Sequence, residues 1–274
     1  MSFALNYSRC AAKLLDAGAI QVALFKCPEW PDLIAEVLKR GPCYPHFAFL
    51  AGRGHVQKAD WSQVHRLMDL TDAPHLNLHL GPCVTDFPSL ALDSTDPRDR
   101  GPLVAAMTRD VLFAQREFPP ERIALENVMW DPLPPWQIPL WALRPEVIRE
   151  VVETTGCRLL LDVSHAGISA RRLGMTAEEY ILSLPVERLS EMHFSGTRLC
   201  EDGLWRDHHP MSDDDWRLAE WALGRIHGGA WPAPRIIAFE YGGIGPGFEE
   251  RTDEQVLRAQ VPRLASRLQE LHLF

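Results

Sequence analysis

The chain contains 274 residues, of which 46% are hydrophobic, and this length can bury one large core. The formal net charge is −9 at pH 7 and lysine and arginine form no long run, which argues against a protein that follows a nucleic acid backbone. No apolar segment is long enough to span a membrane and the first residues do not resemble a signal peptide, so we expect a cytoplasmic protein. The six cysteines lie far apart without a CxxC motif, which predicts reduced thiols.

Eight short, mostly apolar segments predict β-strands. In chain order they are FALNYS (3–8), QVALFKC (21–27), YPHFAFL (44–50), HLNLHL (75–80), RIALENV (122–128), RLLLDVS (158–164), RLSEMHFS (188–195) and RIIAFEY (235–241). Between them, apolar residues spaced by three and four positions predict crossover helices over residues 10–18, 31–41, 60–70, 144–156, 176–184 and 213–226. This alternation predicts a single α/β domain over residues 1–274, a (β/α)8 TIM barrel, with a doubly wound open sheet as the alternative.

Two segments between the predicted elements have the composition of loops that could border an active site. The stretch DPLPPWQIPLWALRP (131–145) is too stiff and aromatic for a free linker, and we expect it to lie over the barrel mouth. The stretch GGIGPG (242–247) follows a predicted strand but lacks the Lys-Ser/Thr pair of a phosphate-binding loop. We therefore interpret it at most as a flexible loop beside an active site.

Polar side chains end several of the predicted strands. The stretch LLLDVSHAGIS (159–169) shows this pattern most clearly, because three leucines of a buried strand lead into Asp162 and His165. The carboxyl ends of barrel strands meet on one face, where such side chains would repel one another unless a shared cation lay between them. The sequence therefore predicts a metal centre with these candidate ligands: His46, His79, Glu126, Asp162, His165, His193, Asp207, His209 and Glu240.

The segment WRDHHP is predicted to be a loop, and it contains two neighbouring histidines. In an extended segment Asp207 and His209 point to the same side, so we favour His209 as a ligand and treat His208 as a catalytic or substrate-binding candidate. His165 is assigned both roles, metal ligand and catalytic residue. Four residues that follow strand ends are predicted to contact substrate: Asn127, Arg171, Arg172 and Arg198.

Mixed histidine and carboxylate ligation without thiolate suits iron, manganese or zinc. Three enzyme classes stay open on these residues: an iron-dependent oxidase, a phosphodiesterase whose zinc ions activate water, and a sugar isomerase or epimerase with one metal and a carboxylate pair. The net charge of −9 opposes DNA binding, and the number of converging histidines disfavours the isomerase. A non-catalytic metal-binding protein is the fourth alternative, and it explains an open site poorly.

The ordered series H-L-G, E-N, L-D-x-x-H-A, H-x-S-G, D-x-H and F-E resembles the xylose-isomerase-like TIM-barrel superfamily, which includes endonuclease IV. Within it, the stretches ALENV, LLLDVSHA, LPVERLSEMHFSG and AFEYGG are similar to the multinuclear non-haem iron-dependent oxidative enzymes, over about residues 40–265. The resemblance implies two or three iron ions and the use of O2 to modify a cysteine, or another residue, near the C-terminus of a small peptide in natural-product biosynthesis. It also implies, for many members, a separate partner protein that recognises the peptide.

The resemblance further implies which positions hold metal. Carried over by motif, the metal positions of the family correspond to Glu126, Asp162, His193, Asp207, His209 and Glu240. One position departs from the pattern, because many relatives have asparagine where this chain has His165, whereas endonuclease IV-like barrels have histidine. The number of metal ions and the ligands of each ion therefore stay open.

Overall fold

Eight parallel strands form the main sheet of the protein, whose computed structural model describes residues 1–273. Within this range the strands are β1 (Ser2–Asn6), β2 (Leu24–Pro28), β3 (Cys43–His46), β4 (Leu76–His79), β5 (Ile123–Glu126), β6 (Arg158–Asp162), β7 (Leu189–Phe194), β8 (Gly196–Leu199), β9 (Trp205–His209) and β10 (Ile236–Phe239). The sheet has the order β3-β2-β1-β10-β7-β6-β5-β4, and each of its eight strands matches one predicted segment with ends that differ by a few residues.

The sheet closes between its two edge strands through a short bridge. Leu50, which follows β3, pairs in parallel with His79 at the end of β4. The amide of His79 donates to the carbonyl oxygen of Phe49 at 2.9 Å, and the amide of Ala51 donates to the carbonyl oxygen of His79 at 2.9 Å. The predicted (β/α)8 barrel is therefore confirmed, and the open doubly wound sheet is wrong.

Nine α-helices surround the strands within the described residues. They are α1 (Arg9–Asp16), α2 (Pro31–Val37), α3 (Trp61–Thr71), α4 (Arg100–Ala114), α5 (Pro145–Thr155), α6 (Val163–Leu173), α7 (Ala177–Ser183), α8 (Asp213–His227) and α9 (Glu254–Glu270). The sequence analysis named six of them and missed α4, α6 and α9. Exposed apolar residues such as Leu112 obscure the period of α4, and Pro262 lies inside α9.

The start of α6 explains why β6 ends earlier than predicted. The three leucines of β6, residues 159–161, are fully buried, as their apolar run predicted. Asp162 then caps the helix, because its Oδ1 accepts a hydrogen bond from the amide of His165 at 2.7 Å. Strand and helix therefore join without a loop, and the helix begins at Val163.

The segment after β7 is an antiparallel hairpin of β8 and β9, where the sequence predicted a loop. Only glycine fits at Gly196, because a Cβ there would lie 2.0 Å from the carbonyl oxygen of Pro210. The carboxylate of Asp215, in the first turn of α8, accepts from the hydroxyl of Thr197 at 2.9 Å and so ties the hairpin to that helix. The hairpin thereby has a fixed position beside the barrel mouth, and it carries Asp207.

Residues 1–273 contain no helix that combines the length and the apolar character needed to cross a bilayer.

Candidate metal centre

The candidate site lies at the carboxyl ends of the barrel strands. His46, His79, Glu126 and Asp162 are the last residues of β3, β4, β5 and β6, and Glu240 directly follows β10. In a parallel barrel these ends meet on one face, where barrel enzymes hold their active sites. A cavity of about 410 Å³ opens there, and most of these side chains line it.

Three overlapping groups of side chains have ligand atoms within 4.8 Å of one another among the described residues. They are His46–His79–Glu126, Glu126–Asp162–His165 and Asp162–His193–Glu240. Glu126 belongs to the first two groups, because its Oε2 lies 3.3 Å from Nε2 of both His46 and His79 and its Oε1 lies 3.6 Å from Nδ1 of His165. A carboxylate whose two oxygens face two groups can bridge two metal ions.

Buried polar atoms without a hydrogen-bond partner test whether cations fit these groups. Across the described part of the chain, such atoms include Oε2 of Glu126, Oδ2 of Asp162 and Nδ1 of His193. Leaving a buried polar atom unpaired costs about 1–3 kcal/mol, so three in one place need a reason. Divalent ions would take up these lone pairs, and the nitrogen and oxygen donors suit iron, manganese or zinc. The residues therefore fit a centre of more than one metal ion.

Asn127 holds Asp162 in place from the neighbouring strand end. Its side-chain amide donates to the carbonyl oxygen of Asp162 at 2.9 Å, and its Oδ1 accepts from the amide of Asp162 at 3.0 Å. The side chain of Asn127 is fully buried and is not part of the cavity wall in the described structure. The structure therefore gives Asn127 a positioning contact where the sequence predicted a substrate contact, because both ends of its amide are used by backbone.

Glu191 orients His193 from below the site. Its Oε1 accepts from Nε2 of His193 at 2.7 Å and from the hydroxyl of Tyr44 at 2.6 Å, and its Oε2 accepts from His75. With Nε2 used in this way, His193 presents Nδ1 to the carboxylates above it. A carboxylate behind a histidine fixes the tautomer and makes the free nitrogen a better ligand.

Burial and neighbouring charges set the protonation of the site. Burial raises the pKa of Glu126 to about 8, and the positive field of His165 only partly opposes it. Burial alone would lower the pKa of His165, but Asp162 and the other carboxylates around it outweigh that effect and raise this pKa to about 10. Burial lowers the pKa of His79 to about 3 and that of His193 to about 4, so both are neutral imidazoles, the form that binds metal.

The structure places His208, and not His209, in the cavity. His208 has a positive φ of 57°, which breaks the alternation of a regular strand on which the sequence prediction relied. Asp207 also lines the cavity and accepts from Nε2 of His165 at 3.1 Å. The side chain of His209 belongs to none of the three ligand groups found among residues 1–273, while its buried Nε2 also lacks a hydrogen-bond partner, so its role as a ligand stays a prediction.

The three arginines predicted to bind substrate lie outside this cavity as the described residues define it. Arg171 and Arg172 are in the last turn of α6, about 12 Å along the helix from the strand end, where they stack on Trp205 and Trp130 at 4.1 and 4.5 Å. Arg198 is exposed on the hairpin. The helix that starts at the end of β6 carries Arg171 and Arg172 away from that strand end, and contact of the three arginines with substrate stays a prediction.

The sequence analysis missed Lys26, a buried lysine in the middle of β2. Its ammonium contacts Oε1 of Glu240, and both side chains are almost fully buried. Burial lowers the pKa of Lys26, while Glu126 and other nearby carboxylates act in the opposite direction. A signal existed in the sequence, because a lysine inside the apolar strand segment QVALFKC is costly to bury without a partner.

Two loops complete the cavity wall. Asp131, Trp136 and Ile138 come from the proline-rich segment 131–145, and the glycine-rich segment 242–247 and Phe248 form another part of the wall. Both segments border the site, as the sequence led us to expect. The wall that they add is largely apolar, in contrast to the histidines and carboxylates at the strand ends.

The strand ends of this α/β barrel gather histidines and carboxylates, which is the architecture of a candidate metal-binding TIM barrel. A family model described as "RiPP precursor modification enzyme MbnB/TglH/ChrH" matches residues 50–234, about two thirds of the chain. The chain therefore belongs to this family, which confirms the resemblance read from its motifs. The description of the family is that of enzymes that modify RiPP precursors.

Curated relatives carry the description "UPF0276 protein". The relative from Paraburkholderia phytofirmans is 37% identical over 101 residues, which cover 35% of this chain and 32% of that protein. The relative from Acaryochloris marina is 26% identical over 191 residues, which cover 65% of this chain and 62% of that protein. The chain thus matches about a third of the length of the first relative and less than two thirds of the second.

Solved structures support the fold. A D-psicose 3-epimerase from Clostridium cellulolyticum has a TM-score of 0.54 at 11% identity, with 99% of both chains covered. A family 2 AP endonuclease from Brucella melitensis has a TM-score of 0.55 at 14% identity, with 96% of this chain and 99% of that chain covered. Similarity at this low identity shows a shared xylose-isomerase-like barrel and nothing about the reaction.

Proposed function

We propose that the protein is an iron-dependent, O2-using oxidoreductase that modifies a cysteine, or another residue, near the C-terminus of a small peptide in natural-product biosynthesis. Membership of a peptide-modifying family supports the substrate class. The observation that carries the metal part is the position of Glu126 in two ligand groups at once, which favours a centre of two or three irons. We place the reaction in the cytoplasm, where thiols stay reduced.

The proposed metal ligands come from six strand ends and the start of α6. They are His46, His79, Glu126, Asp162, His165, His193 and Glu240, with Asp207 beside His165. Bound iron would supply electrons for the reduction of O2 and a coordination position for a substrate thiolate. The protein's part is to hold these side chains rigidly, as Asn127 does for Asp162.

The apolar wall of the cavity would hold the peptide over these groups. Its members are Leu50, Val128, Met129, Trp136, Ile138, Ile244 and Phe248. Burying peptide side chains against such a wall excludes water and fixes the reacting residue, which makes the reaction effectively intramolecular. A separate partner protein would add recognition of the peptide outside the cavity, and it forms part of this proposal.

His208 is the proposed base for the substrate thiol. It lines the cavity, and its Nε2 lies 3.5 Å from Oδ2 of Asp207. Burial lowers the pKa of His208, so the neutral imidazole is available to accept a proton. Asp207 would stabilise the imidazolium that results, while His165 donates to the same carboxylate at 3.1 Å.

Anaerobic titration of the iron-loaded protein with short peptides that end in cysteine tests the proposal. We expect the cysteine peptide to change the Mössbauer and absorption spectra, and a matched peptide with serine in place of cysteine to leave them unchanged. Admission of O2 to the cysteine complex should then consume O2 and change the mass of the peptide. Incision of abasic DNA by the zinc-loaded protein, with no spectral response to any thiol peptide, would replace the oxidase by a phosphodiesterase.

A further inference from the structure

Asn77 is a buried asparagine of β4 whose side chain crosses to the end of β3. Both ends of its amide meet the same residue, because Oδ1 accepts from the amide of Phe47 at 2.7 Å and Nδ2 donates to the carbonyl oxygen of Phe47 at 3.0 Å. One end faces an N–H group and the other a carbonyl oxygen, so these partners fix the orientation of the amide. Asn77 thus holds the residue that directly follows His46.

This contact lies where the barrel lacks regular strand pairing. β3 and β4 are the edge strands of the eight-stranded sheet, and the described residues pair their backbones only through the bridge between Leu50 and His79. The side-chain amide of asparagine carries the same kind of donor and acceptor as a peptide group. Asn77 therefore supplies, at Phe47, the hydrogen bonds that backbone atoms supply between the other strands.

The same amide also reaches the ring of His46. Nδ2 of Asn77 lies 3.2 Å from Nε2 of His46. This ring nitrogen lies 3.3 Å from Nε2 of His79 and 3.3 Å from Oε2 of Glu126, so it is the atom that faces the rest of the ligand group. The other ring nitrogen of His46, Nδ1, is buried and has no hydrogen-bond partner within residues 1–273.

Two other histidines of the site are supported differently, through a ring nitrogen that faces away from the carboxylates. Nε2 of His193 donates to Glu191 at 2.7 Å. Nδ1 of His79 lies 3.3 Å from the carbonyl oxygen of Phe49. Such a contact is the usual way in which a protein orients a histidine that binds metal. In the described part of the chain His46 has no contact of this kind, so its position depends on the backbone that carries it.

We infer that Asn77 is a positioning residue for His46, because it fixes Phe47 to β4 and so determines where the imidazole of His46 meets its ligand group. Asn127 acts on Asp162 through the same pair of hydrogen bonds, one to a backbone amide and one to a backbone carbonyl oxygen. The inference rests on the metal centre of the proposed function, and not on the substrate or on the reaction.

Metal titration of matched variants tests this inference. Zinc and cobalt(II) are titrated separately into the metal-free protein, without peptide. In Asn77→Ala we expect metal affinity to fall about 10–100-fold and the cobalt(II) absorption bands to change, because His46 is no longer held in place. Gln115→Ala is the control, since it removes a side-chain amide that donates to the carbonyl oxygen of Thr155 at 2.7 Å, at the C-terminal ends of α4 and α5 and away from the site. The control should lose stability and keep its metal affinity.

A double variant separates positioning from general stability. If Asn77 acts through His46, Asn77→Ala should cause no further loss of metal affinity in a protein that already carries His46→Ala. An equal loss in both backgrounds would overturn the inference, because it would show that Asn77 acts through the stability of the barrel. Unchanged metal affinity and cobalt(II) spectra in folded Asn77→Ala would overturn it as well.

Amide hydrogen exchange of the metal-free protein provides an independent measurement. Asn77→Ala should speed exchange at Phe47, whereas Asn127→Ala should speed exchange at Asp162 and leave Phe47 unchanged. Unchanged exchange at Phe47 in Asn77→Ala would contradict the proposed contact. If circular dichroism shows that Asn77→Ala does not fold, Asn77→Ser takes its place, because a serine side chain is too short to bond both backbone atoms. A failure of peptide oxidation would leave these results intact, whereas failure of the unchanged protein to bind either metal would refute the metal centre and this role together.

Discussion

The two sides of the metal centre differ in how their side chains are held. On the β3–β4 side, the side chains of His46 and His79 are 14% and 18% exposed and face the cavity. On the β6–β7 side, Asp162 and His193 are fully buried. Glu126 lies between the two sides and directs one oxygen to each.

The hydrogen bonds that hold these side chains are also shorter on the β6–β7 side than on the β3–β4 side. Asp162 and His193 are fixed by Asn127 and Glu191, through hydrogen bonds of 2.7 to 3.0 Å. On the other side, Nδ1 of His79 lies 3.3 Å from a backbone carbonyl oxygen. A fully buried side with short supporting hydrogen bonds would hold metal firmly, whereas a partly exposed side with longer contacts of 3.2 to 3.3 Å can adapt when substrate enters. We therefore expect substrate and O2 to approach from the β3–β4 side.

Glu126→Gln should have the largest effect, because it removes a charge that both sides share. Glutamine keeps the shape of the side chain, so we expect a folded barrel whose affinity for metal falls by more than about a hundredfold. Metal analysis after dialysis, with circular dichroism for the fold, measures this. Glu29→Gln is the matched control, since Glu29 also lines the cavity but accepts from the amide of Ala48. Unchanged metal affinity in Glu126→Gln would mean that the two sides share no carboxylate.

Glu191→Gln should weaken only the β6–β7 side. The variant removes the charged acceptor behind His193, and we expect metal affinity to fall about 10–100-fold while one ion is retained. Cobalt(II) absorption spectra in place of iron would report the altered coordination. Glu187→Gln, four residues earlier and on the surface, should bind metal normally. Equal affinity in the two variants would show that the contact from Glu191 does not orient a ligand.

The pH dependence of metal binding should also separate the two sides. Glu126, with a pKa of about 8, and His165, with a pKa of about 10, carry protons at pH 7 in the metal-free protein, and metal ions must displace them. Affinity should therefore rise with pH between 6 and 8, by about tenfold per pH unit for each proton displaced. Zinc titrations at several pH values, with proton release followed in weak buffer, test this.

Two variants show which residues release those protons when metal binds. His165→Ala should release one proton fewer, whereas His46→Ala should release as many as the unchanged protein, because burial keeps the pKa of His46 well below its usual range. Proton release that falls in His46→Ala, or an affinity that is constant over this pH range, would contradict the protonation pattern described here.

Cys200→Ser should have the smallest effect. Cys200 lies in the turn of the hairpin, where its thiol donates a long hydrogen bond of 3.9 Å to the carbonyl oxygen of Arg198. We expect unchanged metal content on both sides of the centre. A clear drop in bound iron would reveal a thiolate ligand and would replace the histidine and carboxylate set.

The sequence predicted the strand-end residues because a single rule covers them: buried strands of a parallel barrel end on the same face. His46, His79, Glu126 and Asp162 follow this rule as the last residues of their strands. His208 does not, because its position depends on one backbone angle inside an unpredicted hairpin. Nor can this rule predict which side chains meet when they come from strands that are distant in sequence.

Lys26 and Glu191 show this second limit. Lys26 meets Glu240 across 214 positions of the sequence, and Glu191 meets His75 across 116. The sequence of each strand contains a charged residue but does not identify its partner, because only the order of strands around the barrel brings the two together. Likewise, the helix that begins directly after β6 carries Arg171 and Arg172 away from the barrel mouth.

The bridge between Leu50 and His79 connects the metal centre to the closure of the barrel. β3 and β4 are edge strands of the sheet, and the described residues join them through this short seam. An ion held by His46 and His79 would cross-link the seam and close a loop of 33 residues. Because the ion would bind the folded site and not the unfolded chain, it would stabilise the closed seam against local opening. Metal removal should therefore speed amide exchange first at residues 49–51, so that the ion keeps the barrel shut as well as serving its chemistry.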